Sequence, residues 1–148
     1  MAKSVNVEQA ARFEAVLLAY AALWAEADRP RRELLLQQCL SPDAQIIGPG
    51  YHIEGHAAIS QEVERFHRDE PGVRAVLASG FILHSHWARF LVALVDPAGA
   101  VVADGEDVVE LGVDGRIVKV LTFWGAVPPV PAQWPDALVA PPAAHSHS

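Results

Sequence analysis

The chain has 148 residues, 51% of them hydrophobic and 20% charged, a composition typical of one globular domain that needs no disulfide or metal to hold its core. Eighteen acidic against eleven basic residues leave a formal charge of -7 with no cluster of Lys and Arg, which argues against a nucleic acid or an anionic membrane as a partner. The single cysteine, Cys39, cannot pair within the chain, and neither a signal peptide nor a long apolar run is evident, so we expect a cytoplasmic protein.

Three helices are expected in the first half of the chain. Apolar residues recur at three- and four-residue spacing over 8–27, which is typical of a helix with one buried face, and Asn6 is placed to cap its start. A second, shorter helix is predicted over 30–40, because proline suits the first turn of a helix. The third helix opens at Gly55 and ends before Pro71.

The rest of the domain has the pattern of strands. Two short strands over 44–48 and 51–54 come before the third helix, and three or four longer strands occupy 73–125. The turns expected between the longer strands contain glycine or proline and lie at 79–80, 96–99 and 112–115. Helices that come mainly before an antiparallel meander indicate an α+β fold.

The chain divides into a single domain over 1–126 and a proline-rich tail over 127–148. The tail holds six of the eleven prolines of the chain. A segment of this composition is expected to be extended. Its two histidines, His145 and His147, are assigned to the tail and not to a site.

Tight turns determine which residues of the sheet oppose each other, because the numbers of opposed residues in an antiparallel pair sum to a constant. The turn at 96–99 sets Ala88 opposite Asp107, and the turn at 112–115 sets Val120 opposite Asp107. The residues predicted on the same face as Asp107 are His84, His86, Ala88, Phe90, Val92, Gly105, Val109, Leu111, Val118, Val120, Thr122 and Trp124. This face is mainly apolar, so we expect the helices to pack on it.

The opposite face of the sheet mixes apolar and charged residues. It includes Ile117 and Phe123, and an ion pair between Arg89 and Glu106 is expected across two strands. We expect this face to meet solvent or a second subunit.

Asp107 is therefore expected inside the domain. A buried ionised carboxylate costs several kcal/mol unless it is paired or hydrogen-bonded, and His84 and His86 are predicted on the same face as its partners. Perturbed carboxylates of this kind cluster in functional sites. The alternative is a structural acid that braces Tyr20 or a histidine.

Several short motifs share their order and spacing with one superfamily. They are Tyr20, Asp28, Ser41-Pro42-Asp43-Ala44, Gly55-His56-Ala57-Ala58-Ile59, His84-Ser85-His86, Arg89-Phe90, the segment 105–111, Asp114-Gly115-Arg116-Ile117 and Phe123-Trp124-Gly125. In these motifs the chain resembles the nuclear transport factor 2-like superfamily, in particular its SnoaL-like polyketide cyclase and ketosteroid isomerase branch. The resemblance implies a cone-shaped α+β barrel, with three N-terminal helices packed on a strongly curved mixed or antiparallel sheet around an apolar pocket. It also implies a homodimer formed through the outer sheet face.

The same resemblance implies roles for particular residues. Matched to ketosteroid isomerases, Tyr20 and Asp107 fall at the positions of two oxyanion-hole donors, and Gly48, which has no side chain, falls at the position of the general base. Matched to SnoaL-like cyclases, Asp107 assisted by His86 falls at the acid/base catalyst of an aldol ring closure. Asp107, His86 and Tyr20 are therefore the predicted catalytic residues.

Side chains around these three are predicted to bind the substrate, although the aromatic ones are core residues by default if no pocket exists. They are Trp24, Tyr51, Phe66, His84, Phe90, Val109, Val120, Thr122 and Trp124. A metal triad of His84, His86 and Asp107 is the weaker alternative, because no neighbouring residue type supports it. We therefore predict no metal.

Two functions stay open from the sequence. The first is a small enzyme that uses general acid/base chemistry and no cofactor to isomerise, cyclise or dehydrate an apolar carbonyl compound in an enclosed pocket. The second is a non-catalytic ligand-binding or dimerisation module of the same fold, which the missing side chain at Gly48 favours. The expected partners are a small apolar molecule and a second copy of the chain.

Overall fold

A computed structural model of the chain describes residues 6–142, so His145 and His147 lie outside the described residues. Within that range, three α-helices and a six-stranded mixed sheet form the α+β fold that the sequence predicts. The helices are α1 (Val7–Ala25), α2 (Arg29–Cys39) and α3 (His56–Asp69). The strands are β1 (Leu40–Gly48), β2 (Tyr51–Glu54), β3 (Arg74–His84), β4 (Trp87–Val95), β5 (Val101–Leu111) and β6 (Ile117–Trp124). No helix in this range is long and apolar enough to cross a membrane.

The ends of α1 and α2 follow from their capping residues. The Asn6 side chain accepts a hydrogen bond from the backbone N–H of Glu8 at 2.7 Å, which confirms the predicted start of α1. Asp28 caps α2 in the same way and accepts a backbone N–H at 3.0 Å. Because both Glu26 and Asp28 have extended backbone angles that lead into this second cap, α1 ends at Ala25, before its predicted end.

The strands lie in the order β2-β1-β6-β5-β4-β3. Strands β3 to β6 form the predicted antiparallel meander, whereas β1 pairs with β6 in parallel, which makes the sheet mixed. The β1-β2 hairpin lies between α2 and α3 in the chain, so the three helices are not consecutive, and only two of them precede the first strand.

The turn predicted at 79–80 is wrong. Strand β3 continues through these residues, and its ladder with β4 shifts register there. Ser79 Oγ accepts a hydrogen bond from the backbone N–H of Leu91 at 2.8 Å, which satisfies a donor that the ladder leaves unpaired. The connection to β4 is instead made by Ser85 and His86, with Ser85 in a left-handed conformation at φ 57°.

The predicted register of β5 also needs correction. Asp107 pairs with Phe90 of β4 and not with Ala88, and with Thr122 of β6 and not with Val120. Each register differs from the prediction by two residues. Because side chains alternate between faces with a period of two, Asp107 remains on the predicted inner face.

Register shifts near both turns explain these differences. Val95 pairs with Val101 and Leu111 pairs with Ile117, each one residue beyond the partner in the predicted register, and each ladder then shifts by one more residue, between Leu94 and Val95 and between Glu110 and Leu111. Because Leu111 pairs with Ile117, Ile117 lies on the inner face and is completely buried, so the prediction that it lies on the outer face is wrong.

The helices pack on the inner face of the sheet. The core consists of apolar side chains from all three helices and from the sheet. Its most buried members include Phe13, Leu17, Leu23, Leu36, Ile59, Val63, Val109, Ile117 and Val120. After Gly125 the described chain contains one short 3-10 helix, Asp136–Leu138, and exposes Val127, Trp134 and Leu138. The division of the chain at residue 126 stays a prediction.

Candidate active site

A cavity of about 680 Å³ lies between the helices and the inner face of the sheet. Side chains of α1, α3 and all six strands line it, and most of these are apolar. The exposed members of the lining, which mark its mouth, include Tyr51, His52 and Arg65. The volume is in the range of sites that enclose a small molecule.

Asp107 is the buried acid of this cavity. Its side chain is 4% exposed, and Thr122, directly opposite on β6, donates a hydrogen bond from Oγ1 to Asp107 Oδ1 at 2.8 Å. Burial raises the pKa of the Asp107 carboxyl to about 6, because the Thr122 hydrogen bond, which lowers it, offsets only part of the desolvation. The carboxyl therefore titrates near neutral pH and is mainly ionised at pH 7.

Tyr20 reaches the same cavity from α1 and is buried. Burial raises the pKa of its phenol well above the usual value, and the negative charge of Asp107 raises it further, whereas the Trp24 indole lowers it. The Tyr20 hydroxyl is therefore neutral at all ordinary pH values and remains available as a hydrogen-bond donor near Asp107.

The structure brings most of the predicted site residues together. Those that line the cavity are Tyr20, Trp24, Tyr51, Phe66, Phe90, Asp107, Thr122 and Trp124. Val109 and Val120 pair with each other in the β5–β6 ladder and are fully buried in the core, so they support the wall and do not line it. His84, at the end of β3, is exposed and does not line the cavity.

The prediction that His86 lies on the inner face with Asp107 is wrong. His86 lies in the β3–β4 turn, its side chain is 53% exposed, and its Nε2 is 3.6 Å from Oε2 of Glu110. Because the prediction placed a turn at 79–80, it assigned both His84 and His86 to the long strand that follows. The partner of Asp107 is therefore Thr122, and within residues 6–142 His84, His86 and Asp107 are not brought together as a metal triad.

Sequence reasoning missed the polar residues at the mouth of the cavity. Arg65 of α3 forms an ion pair with Glu62, and its Nη1 donates to Oδ2 of Asp69 at 3.1 Å. On β2, His52 Nε2 lies 2.7 Å from Oε1 of Gln45. The spacing of Glu62 and Arg65 on one helix was a usable signal, but it is equally typical of a solvated helix surface.

Gly48 lies at the end of β1, opposite Tyr51 in the β1-β2 hairpin. A Cβ atom added to Gly48 would overlap the Cζ and Oη atoms of Tyr51, so the phenol ring occupies the space that a side chain at position 48 would need. The position that the resemblance matches to a general base is therefore filled by Tyr51.

Known structures show a related fold. The chain is similar to a proposed isomerase of the SnoaL-like family from Agrobacterium tumefaciens strain C58, with 33% identity and a TM-score of 0.72 over 78% of this chain and 99% of that one. A proposed SnoaL-like polyketide cyclase from Jannaschia sp. CCS1 is 16% identical, with a TM-score of 0.61 over 84% of this chain and 90% of that one. A protein of unknown function with a cystatin-like fold from Methylobium petroleophilum PM1 is 19% identical, with a TM-score of 0.65 over 84% of this chain and 81% of that one. No protein-family model and no curated protein matches the chain.

Proposed function

This chain belongs to the SnoaL-like family, and from that membership we propose that it is an enzyme of the isomerase or cyclase type. Its reaction is general acid/base chemistry, without a cofactor, on an apolar carbonyl compound held in the cavity. Isomerisation, aldol-type cyclisation and dehydration of such compounds share one first step, the removal of a proton from a carbon next to the carbonyl group. The proposal therefore depends on a base placed inside an apolar cavity.

The observation that carries the proposal is the environment of Asp107. The carboxyl is buried, has one hydrogen bond from a described residue, and has a pKa of about 6. A general base is most effective when its pKa lies near the working pH, because it is then both ionised and basic. An ordinary exposed aspartate, with a pKa near 4, is a much weaker base.

In the proposed reaction, the Asp107 carboxylate takes a proton from the carbon next to the substrate carbonyl. The carbonyl oxygen becomes an enolate, and the neutral Tyr20 hydroxyl donates a hydrogen bond to it. In an isomerisation, Asp107 then returns its proton to a different carbon. In an aldol closure, the enolate carbon instead bonds to a second carbonyl carbon of the same molecule, and the proton of Asp107 goes to the new alkoxide.

The test is proton exchange, which needs no knowledge of the natural substrate. Apolar cyclic ketones and enones are incubated with the protein in D₂O, and exchange of the protons next to the carbonyl is followed by NMR. Asp107→Asn should lower the exchange rate by about 10²–10⁴-fold, the contribution of a general base, while ligand affinity is kept. Asp114→Asn, which changes an exposed acid outside the cavity, is the control. Exchange that survives Asp107→Asn unchanged contradicts the proposal.

The second candidate, a ligand-binding module without a reaction, is favoured by the missing side chain at Gly48. A module of this kind binds the same apolar ketones, but the wild-type protein does not exchange their protons. Ketones that bind to the wild-type protein without any proton exchange would therefore favour the binding module over the enzyme.

We also propose that the outer sheet face binds a second copy of the chain. Trp87, Leu91 and Phe123 expose 40%, 47% and 58% of their surface there. The predicted ion pair between Arg89 and Glu106 lies on the same face, with Nη1 and Oε2 3.0 Å apart. Exposed apolar side chains around a charged pair are a common feature of subunit interfaces.

A further inference from the structure

Tyr51 and Gly48 form a linked pair at the mouth of the cavity. Gly48 is not among the glycines with positive φ, so its backbone does not require glycine. What requires glycine is the space, because a Cβ atom there would overlap the Tyr51 ring, and the nearest atoms belong to that side chain. The absence of a side chain at position 48 thus allows the phenol to lie against β1.

The position of this phenol follows from the sheet. Ile46 of β1 lines the cavity, and Gly48, two residues further, is on the same face of the strand. In the parallel β1–β6 ladder Ile47 pairs with Leu121, so the next position along the ladder sets Gly48 beside Thr122. Thr122 in turn pairs with Asp107.

Gly48, Thr122 and Asp107 thus form a row across three neighbouring strands. The Tyr51 ring, which covers Gly48, lies at one end of this row, and the buried acid lies at the other. Neighbouring strands are about 4.8 Å apart, so the backbones of β1 and β5 are separated by roughly 10 Å in this row. A ring compound lying between them can reach the phenol at one end and the carboxyl at the other. Thr122, in the middle of the row, already donates its hydroxyl to Asp107.

The Tyr51 hydroxyl is also available to a ligand. Tyr51 is 36% exposed and its ring is one of the cavity walls, so a ligand in the cavity can reach the phenol. Tyr20, Tyr51 and Asp107 all line this cavity, so three oxygen-bearing side chains surround the same space.

We propose that Tyr51 is a further substrate-binding residue of this site, which hydrogen-bonds an oxygen of the ligand at the end away from Asp107, and that Gly48 is its positioning residue. The substrate class is then an apolar ring compound that carries oxygen at two opposite positions. One oxygen lies deep, near Tyr20 and Asp107, and the other lies toward the mouth, at Tyr51. This inference rests on the proposed function, because it uses the same cavity and the same deep end.

The test compares 2-naphthol with 2,6-dihydroxynaphthalene, two fluorescent ring compounds that differ by one hydroxyl at the far end. The wild-type protein should bind the diol about 2- to 10-fold more tightly, which is the effect of one neutral hydrogen bond. Tyr51→Phe should remove this preference and leave the affinity for 2-naphthol unchanged, because the ring stays. Gly48→Ala should also remove the preference, because the added methyl group displaces the phenol. Gly80→Ala is the matched control, since Gly80 lies in a strand, lacks a positive φ and has open space where a Cβ atom would be added.

Each result bears on the inference. A wild-type protein without preference for the diol overturns it, and so does a preference that survives Tyr51→Phe. Retained binding of 2-naphthol by Gly48→Ala shows that this variant is folded, so its loss of preference then reports on the position of the phenol. If 2-naphthol binds and Asp107→Asn loses the proton exchange that the wild-type protein shows with ketones, the proposed function survives a failure of the Tyr51 inference. If neither compound binds, the Tyr51 inference fails, and the proton-exchange test with ketones still decides the proposed function.

Discussion

Replacing Asp107 by Asn should make the protein more stable, and the gain should depend on pH. The pKa of this carboxyl is about 6 in the folded protein, against an ordinary value of 3.8, so the folded state binds the proton more tightly than the unfolded chain does. A difference of about 2 pKa units corresponds to about 3 kcal/mol. The wild-type protein therefore loses about 3 kcal/mol of stability as pH rises from below 4 to above 6.

Asparagine has nearly the same shape as aspartate, can still accept the Thr122 hydrogen bond, and does not ionise. The variant should therefore unfold with a free energy about 3 kcal/mol above that of the wild type at pH 8 and about equal to it at pH 3.5. The measurement is urea unfolding of both proteins at several pH values between these limits. Most other titrating groups cancel in the comparison, because the two proteins share them.

Asp114 provides a control for which the change in the free energy of unfolding should have the opposite sign. Hydrogen bonds from Arg116 hold the pKa of the Asp114 carboxyl below its usual value, so this group stabilises the fold when it is ionised. Asp114→Asn should lower stability at pH 8, and this loss should fade as pH falls through the folded pKa. A stability difference for Asp107→Asn that does not change with pH, or a loss at pH 8, would refute the reasoning about the buried acid.

Three further predictions follow from single contacts. Thr122→Val should raise the pKa of Asp107 further above 6, by roughly 1–2 units for a hydrogen bond to a charged group, and an unchanged NMR titration of the carboxyl would contradict this. Arg32→Met should lower the free energy of unfolding by about 1–3 kcal/mol in urea, because it leaves the buried Ser60 hydroxyl and two backbone carbonyl groups without this donor while Glu64 keeps Arg29, and a loss below about 0.5 kcal/mol would show that these contacts are weak. Phe123→Glu should convert a homodimer into a chain of 15.9 kDa in light scattering, whereas a wild-type protein that is already monomeric disproves the proposed interface.

The residues of the inner face could be predicted because side chains alternate between the two faces along a strand. The face of a residue therefore depends on whether its offset along the strand is odd or even, and not on its exact partner. The predicted pairs of Asp107 with Ala88 and Val120 were both two residues away from the observed pairs with Phe90 and Thr122. A register error of two residues leaves each side chain on the same face of the sheet. The exact partners could not be predicted, since the irregularities near both turns carry no composition signal of their own.

The failure at His86 has a different cause. Ser79 and Gly80 have turn composition, but the backbone donor of Leu91 binds the Ser79 hydroxyl and the strand continues. The real turn uses Ser85 in a left-handed conformation without help from glycine or proline. Only the tertiary pairing of β3 with β4 distinguishes a turn at 79–80 from a turn at 85–86. The position of the turn determines whether His86 faces the cavity or solvent.

The two buried charged side chains within residues 6–142 differ in how many hydrogen bonds they make, and this difference separates a structural role from a functional one. Arg32 is 1% exposed and donates to Ser60, Glu64 and two backbone carbonyl groups, so its burial cost is offset on every side and it ties α2 to α3 and to the end of α1. Asp107 is 4% exposed and receives one hydrogen bond from the described residues, with a cavity in front of it. One more hydrogen-bond donor beside Asp107 would have stabilised its carboxylate more fully, as the acceptors around Arg32 stabilise the guanidinium. Leaving Asp107 short of donors raises its pKa to about 6 and keeps an acceptor free for a ligand, at a cost of about 3 kcal/mol that a purely structural acid does not explain.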